Sequence, residues 1–511
     1  MTTDIVPDGR RSKGIAGRSP GRQAARAAVA ALLCLAWALA LPGCATYSAQ
    51  MADLRPRLAA GDFDGALRTI DEHGGGSDQL LSWLERGLVL HYADRYAESN
   101  EAFAAAERTA AERFDRSLAE GAVSLLTSDA NVAYRPRPFE MALVPYYKAL
   151  NYAWLGQPSE AAVEARSASQ MLAKYVDASL GAVREQDRGE LERVRNDAFL
   201  LWFSGMLYEA DGELNDAFIA YRNAAVAFEQ NAGLLGLEAP ADLAGDLART
   251  ADRLGFRAEL EQAAQASPSV FAAAGDTTPD LAVLRADARW VPGNGELVLL
   301  VETGQVPQLG QVRLDFPIFK GEDHADRDRW GWSLYDGYGY GRARASGGDV
   351  EYWLSIAAPE LHDEAPLPCS AVRASAGTIG GHALGTRAAH LGRAARVSFD
   401  AEKPTIFFRS IVRGLTKYLA SRGAEKVGGK GLGVLANILG AVTEKADTRS
   451  WLTLPGQVHV LRLHLPPGRH DVKLELLGAT GRVVAEQTLA GIVVKPGEWT
   501  FESRRVFALP Q

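Results

Sequence analysis

The chain changes its hydrophobic period once, and that change bounds what it can fold into. From Tyr47 to about Leu260, apolar residues return every three or four positions, alanine is abundant and proline is scarce. That spacing lays an apolar stripe along a helix, and alanine is the strongest helix former. Past residue 281, short strand-forming runs bounded by turn residues take over. Between the two, Ala264 to Asp280 is rich in Ala, Ser, Pro, Gly and Thr and is expected to be a linker. At 511 residues the chain exceeds one ordinary core. The expectation is an α+β protein with a helical domain at 44–263, a linker at 264–280 and a β-rich domain at 281–511.

The helical half carries internal similarity. Leu201 to Tyr208 is followed by Gly212, Ala217, Tyr221 and Ala224. Small residues at Gly205, Ala217 and Ala224 let two antiparallel helices approach, and Tyr208 and Tyr221 fill the gap between them. This resembles a tetratricopeptide repeat. The register recurs at Trp83, Gly87, Ser99, Phe103 and Ala106, again at Ala149, Tyr152, Gly156, Ala161 and Ala168, and more weakly at Gly61, Phe63, Ala66 and Ile70. The later copies are spaced too widely for one repeat. Extra helices are therefore expected near Arg116–Leu126 and Tyr175–Val194, giving a degenerate TPR-like α-solenoid. Tyr134-Arg135-Pro136-Arg137-Pro138 breaks the helical period and reads as a rigid extended connector.

The resemblance implies a concave groove lined by the first helix of each repeat. Carried over by register, its positions are Leu84, Leu88, His91 and Tyr92, then Tyr146, Leu150, Ala153 and Trp154, then Trp202, Met206 and Glu209. The Lys and Asn residues with which some members clamp a C-terminal carboxylate are not found there. An apolar, aromatic groove suits a helix or an apolar peptide. The same residues also read as plain core, if inserted helices fill the groove.

In the second half, Gly295–Glu302 is the firmest strand, with Val312–Phe316 and Tyr352–Ile356 weaker and Gly331–Gly348 a loop. Thr405–Ser421, with Pro404 at its first turn, and Leu432–Val442 read as an inserted helical pair near 404–444. Gln457–Leu465 and His470–Leu476 around Pro466-Pro467-Gly468 read as a hairpin, followed by Arg482–Thr488 and Trp499–Phe507. Short strands at this spacing predict a small antiparallel sandwich. Ala446-Asp447-Thr448-Arg449-Ser450-Trp451 with Leu454-Pro455, Phe139-Glu140 through Tyr152 and the strand at Gly295 resemble a family of bacterial tetratricopeptide-repeat-like lipoproteins over most of the mature chain. That family has no assigned reaction. Asp447 and Arg449 read as an ion pair pinning the helical pair to the sheet.

The N-terminus adds an address. Six basic residues, Arg10, Arg11, Lys13, Arg18, Arg22 and Arg26, precede an uncharged Ala/Leu-rich run ending at Leu41-Pro42-Gly43-Cys44. That order describes an export signal, and the run is too short to span a bilayer. Leu-x-Gly-Cys resembles the lipobox of bacterial lipoproteins. It implies cleavage of 1–43, lipid on Cys44 and a bilayer as partner through the acyl chains. Ala45 after the lipid site implies the outer membrane, facing the periplasm. Removing the leader shifts the net charge from −8 to −12, which argues against a nucleic-acid partner. Cys34 leaves with the leader and Cys44 takes the lipid, so Cys369 has no disulfide partner.

No catalytic pattern stands. Gly17-Arg18-Ser19-Pro20-Gly21 lies in the leader, and Gly431-Leu432-Gly433 follows no strand. Asp323, His324, Asp326 and Asp328 do not fit a calcium loop, and His382 and His390 lack zinc-ligand spacing. The sequence therefore predicts a non-enzymatic, membrane-anchored scaffold that binds envelope proteins and serves envelope or cell-wall biogenesis, without metal or cofactor. The alternative is an envelope enzyme or polysaccharide-binding protein with its site in the β-rich domain.

Overall fold

The helices pack as consecutive hairpins because small residues recur where two helices cross. In the computed structural model, which describes residues 46–119, 133–274, 293–319, 350–364, 366–377, 382–428 and 445–507, the longer helices before the sheets are α1 (Phe63–His73), α2 (Gln79–Tyr92), α3 (Tyr96–Ala119), α4 (Pro138–Trp154), α5 (Pro158–Ala182), α6 (Ala198–Ala210), α7 (Leu214–Leu235), α8 (Ala241–Leu254), α9 (Arg257–Ala266) and α10 (Pro268–Ala273). A β-carbon at Gly205 of α6 would overlap the ring of Tyr221 on α7, and one at Gly87 of α2 would lie 2.6 Å from the Phe103 ring on α3. Ser99 Oγ donates to the Gly87 carbonyl at 2.7 Å, so the small residue also fixes the crossing. Residues 133–137 are extended and α4 starts at Pro138, as the two prolines require.

The stretch expected as a linker is helical through Ala273. Val270 and Phe271 of α10 are buried in the helical core, so α9 and α10 belong to the array. Its alanines read as loop composition, yet they are helix formers packed against α8.

Ten strands follow among the described residues: β1 (Gly295–Thr303), β2 (Leu309–Phe319), β3 (Val350–Leu361), β4 (Ala371–Ala376), β5 (His382–Leu384), β6 (Thr386–His390), β7 (Gln457–Leu465), β8 (Gly468–Leu477), β9 (Val483–Val494) and β10 (Trp499–Val506). They form two four-stranded sheets, ordered β10-β1-β7-β6 and β5-β4-β8-β9, and a β2-β3 ribbon. β7 and β8 are not a hairpin. β7 pairs with β1 and β6, whereas β8 pairs with β4 and β9. Pro466 and Pro467 carry no N–H for a ladder, and the chain turns there from one sheet to the other. Leu461, Leu463 and Leu465 then meet Val472, Leu474 and Leu476 across the sandwich core.

The β10-β1-β7-β6 sheet is buried on both faces. Leu297, Leu299 and Val301 of β1 enter the sandwich core, while Val298 and Leu300, with Val458, Val460 and Phe501, join the core of the helices. This explains the unbroken apolar run in β1. Helices, central sheet and outer sheet thus form three layers, and Tyr47–Gln511 is one compact unit.

After β6, helix α11 runs from Leu391 to Gly428, with Pro404 inside it rather than at its first turn. His390 Nδ1 accepts from the Arg393 N–H at 3.2 Å and caps the start, a signal that helical periodicity does not carry. The second expected helix, Leu432–Val442, lies outside the described residues. So do Cys44 and the leader, most of Arg116–Leu126, the Gly331–Gly348 loop and the Asp323–Asp328 cluster.

Candidate functional site

The positions assigned to a partner groove are taken up within the chain, some by its own sheet and some by neighbouring helices. Leu84, His91, Tyr146, Trp202 and Glu209 are buried, and Tyr92 and Trp154 are half-buried. Tyr92 and Tyr146 are covered by β1 and Trp154 by β10, whereas Trp202 and Glu209 meet α8 and His91 meets α4. Leu84 sits in the shared apolar core. The polar members gather at two nodes, and two further carboxylates hold the segment before β7.

At the first node Glu302, near the end of β1, points at the helices. Tyr92 Oη donates to it at 2.5 Å, Tyr147 Oη at 3.0 Å and Tyr146 Oη at 3.5 Å. Burial pushes the Glu302 carboxyl above its ordinary range, opposed by Arg505 and the three phenols. Arg505 stands opposite Glu302 in the β1–β10 register, with its guanidinium 4.4 Å from the Phe507 ring centre. Trp154 Nε1 donates to the Phe501 carbonyl at 2.7 Å, tying α4 to β10. Behind it, His91 Nδ1 donates to Asn151 Oδ1 at 2.7 Å, and Asn151 Nδ2 donates to Ser99 and Asn100. Burial lowers the His91 pKa to about 4, so this imidazole is neutral.

The second node is ionic. Asp246 of α8 accepts from Trp202 Nε1 at 2.9 Å, from Arg249 at 2.7 Å, and from Arg462 of β7 at 2.6 and 2.8 Å. Arg249 also grips Glu209 at 2.7 and 2.8 Å, and Tyr221 Oη donates to Glu209 at 2.9 Å. Arg462 reaches Glu296 at 2.6 Å and stacks 4.9 Å from the Trp499 ring centre. Burial pushes Asp246 upward, but Arg462 and Arg249 outweigh it and hold the carboxyl below its usual range.

The segment 445–456 crosses the helices between these nodes and the N-terminal turns. Glu85 of α2 accepts the main-chain N–H of Leu452 at 2.6 Å and of Thr453 at 3.2 Å, and the Thr453 hydroxyl at 2.5 Å. Glu140 of α4 accepts the Trp451 N–H at 2.8 Å and the Tyr134 hydroxyl at 2.5 Å. Arg55 donates to the Leu452 and Val306 carbonyls, each at 2.7 Å. Arg449 does pair with Asp447, at 2.6 Å, and it also reaches Asp78 at 2.9 Å, beside α2. The pair therefore fastens this segment to the first helices, not a helical pair to the sheet. The reason is proximity: the chain passes Tyr134 and Asp78 before it enters β7.

Glu85, Glu140, Asp246 and Glu302 were not singled out from sequence. Each is a carboxylate that interrupts an apolar stretch, and that is the one signal by which it could have been found. Chemically the arrangement clamps: the carboxylates accept from N–H, hydroxyl and guanidinium donors that the opposing elements supply. Among the described residues no group of three or more His, Cys, Asp or Glu could hold a metal ion, and no helix is long and apolar enough to cross a membrane. Comparison with protein families and with curated proteins found no match.

Proposed function

We propose that this chain is a lipid-anchored scaffold of the bacterial cell envelope, whose TPR-like helical array holds its own β-sandwich in place of a peptide and presents the assembly to envelope proteins. The observation that carries this reading is the use of the groove positions. Tyr92 and Tyr146 are spent on Glu302 of β1, Trp154 on Phe501 of β10, and Trp202 and Glu209 on Asp246 and Arg249 of α8, so the array works as a fixed cradle. Close helix crossings at Gly87/Phe103 and Gly205/Tyr221 support the TPR-like description. The basic, apolar and Leu41-Pro42-Gly43-Cys44 order supports the anchor. Partners then meet outer surfaces of the assembly, in the service of envelope or cell-wall biogenesis.

The test has two parts. Mass spectrometry of the protein extracted from bacterial membranes should show a start at Cys44 carrying acyl chains, and Cys44→Ser should release it to the soluble fraction. Crosslinking in intact envelopes should then join the anchored protein to the same envelope proteins whether or not Tyr146 is replaced by Phe. An unmodified thiol with the leader intact refutes the anchor. Loss of crosslinks on Tyr146→Phe, with the fold retained, refutes the cradle.

A further inference from the structure

Among the described residues, large apolar side chains left in solvent concentrate on α11. Phe408 and Leu419 are 64% and 66% exposed, and Ile411 and Leu415 lie between them, also exposed. Spacings of three and four place all of them on one stripe of the helix. The inward side is already used. Ser410 and Arg413 are buried, and a β-carbon at Gly414 would lie 2.8 Å from Leu354 of β3. The stripe therefore faces away from the body that α11 packs on.

The same helix is basic in an acidic chain. Between Thr405 and Gly428 the sequence carries Arg409, Arg413, Lys417, Arg422 and Lys426 against the single acid Glu425, while the whole chain has a net charge of −8. An apolar stripe on a cationic helix is complementary to an anionic bilayer: acyl chains accept the stripe and phosphate headgroups attract the cations. Since no described helix is apolar enough to cross a membrane, such a helix lies in the surface plane.

We propose that α11 is a bilayer-docking element, with Phe408, Ile411, Leu415 and Leu419 entering the boundary between headgroups and acyl chains of an anionic membrane. This contact goes beyond the lipid anchor and does not need it. An acyl tether limits distance from the membrane; a docked helix also fixes which way the three layers face.

The experiment uses the chain from Ala45 onward, which keeps the compact unit Tyr47–Gln511 and lacks the lipid site. Flotation is measured with phosphatidylcholine vesicles, with and without phosphatidylglycerol. Binding to the anionic vesicles is expected, weakened by 0.5 M salt and by pure phosphatidylcholine, as screening of surface charge requires. Phe408→Ser with Leu419→Ser should lower partitioning by at least about tenfold, an energy of about 1.4 kcal/mol, with unchanged circular dichroism. As an independent readout, an environment-sensitive dye on Leu419→Cys should shift to the blue on anionic vesicles; the other thiol, Cys369, is buried. Absence of flotation with anionic vesicles overturns the proposal. So does flotation unaffected by the double substitution, and so does a concentration-dependent dimer that the double substitution abolishes, since a second copy would then cover the stripe.

Discussion

Glu85→Gln should remove a pH dependence that the unsubstituted protein shows. The Glu85 carboxyl is fully buried, and burial raises its pKa to about 7, against the hydrogen bonds from Thr453 and Leu452 and the charge of Arg55. In the unfolded chain the group returns to an ordinary value near 4.3. Between these values the folded protein holds the proton more tightly, so its stability falls as pH rises from about 4.3 to about 7. From pH 5 to pH 8 the loss integrates to roughly 2–3 kcal/mol. Gln cannot titrate. It also misses the Thr453 N–H contact at every pH, a constant cost of about 1 kcal/mol. Urea unfolding of both proteins at pH 5 and pH 8 separates the two effects, because other titrating groups cancel in the difference. Glu85→Gln should be the less stable protein at pH 5 and should gain roughly 2–3 kcal/mol relative to the unsubstituted chain by pH 8. Equal pH dependence in the two proteins, or a gain of the opposite sign, would refute the placement of Glu85 beneath Leu452 and Thr453.

Asp246→Ala strips a buried node of its central acid and leaves Trp202 Nε1, Arg249 and Arg462 short of an acceptor; the expected cost is about 3–5 kcal/mol, read from the urea midpoint. Because Arg462 and Arg249 hold Asp246 below its ordinary pKa, its contribution is present above about pH 4 and is lost as pH falls through the lower folded value, which acid titration of the same variant checks. Gly205→Ala puts a methyl group into the Tyr221 ring and should cost about 1–3 kcal/mol, whereas Gly212→Ala, with open space but a positive φ, should cost about 1 kcal/mol or more through the backbone alone; thermal unfolding compares them.

The helical half was legible where packing is local. Gly205 and Tyr221, or Gly87 and Phe103, are sixteen residues apart in sequence and meet across one hairpin. β1, β7, β9 and β10 were legible from their β-branched and aliphatic runs. β4 (Ala371–Ala376) and β6 (Thr386–His390) were not, because Ala, Ser and Arg carry little strand preference and their pairing with β8 and β7 supplies the reason they are strands. The hairpin expected at Pro466-Pro467-Gly468 failed for a related cause. Alternation says which residues point to a core, but two strands facing each other across a sandwich alternate just as two paired strands do. The candidate site was half legible. The aromatic register singled out Tyr92, Tyr146, Trp154 and Trp202, which the fold turns toward Glu302, Phe501 and Asp246. The strand residues that meet Tyr92, Tyr146 and Trp154, Glu302 and Phe501, are encoded 156 to 347 residues away, and no local pattern connects them.

The energy needed to open the contact between sheet and helices decides between a groove and a cradle. Lifting the sheet and its leading segment off the helices would expose Val298, Leu300, Val458, Val460, Phe501 and Trp451 together with the helix residues beneath them. At about 1.5–3 kcal/mol for each large apolar side chain, the sheet side alone amounts to roughly 10 kcal/mol or more, within the 5–15 kcal/mol that is typical for global unfolding of a domain. The buried carboxylates do not oppose opening once hydrated, but their donors would need new partners at the same moment. Partial opening is no easier, because β1 and β7 each carry one face of the sandwich and one face of the helical core, so neither can leave the helices without disturbing the outer sheet. A partner peptide would have to repay nearly the whole stability of the fold to occupy these positions. A partner peptide is therefore ill suited to these positions, and exposed apolar side chains such as those along α11 lie on outer surfaces instead.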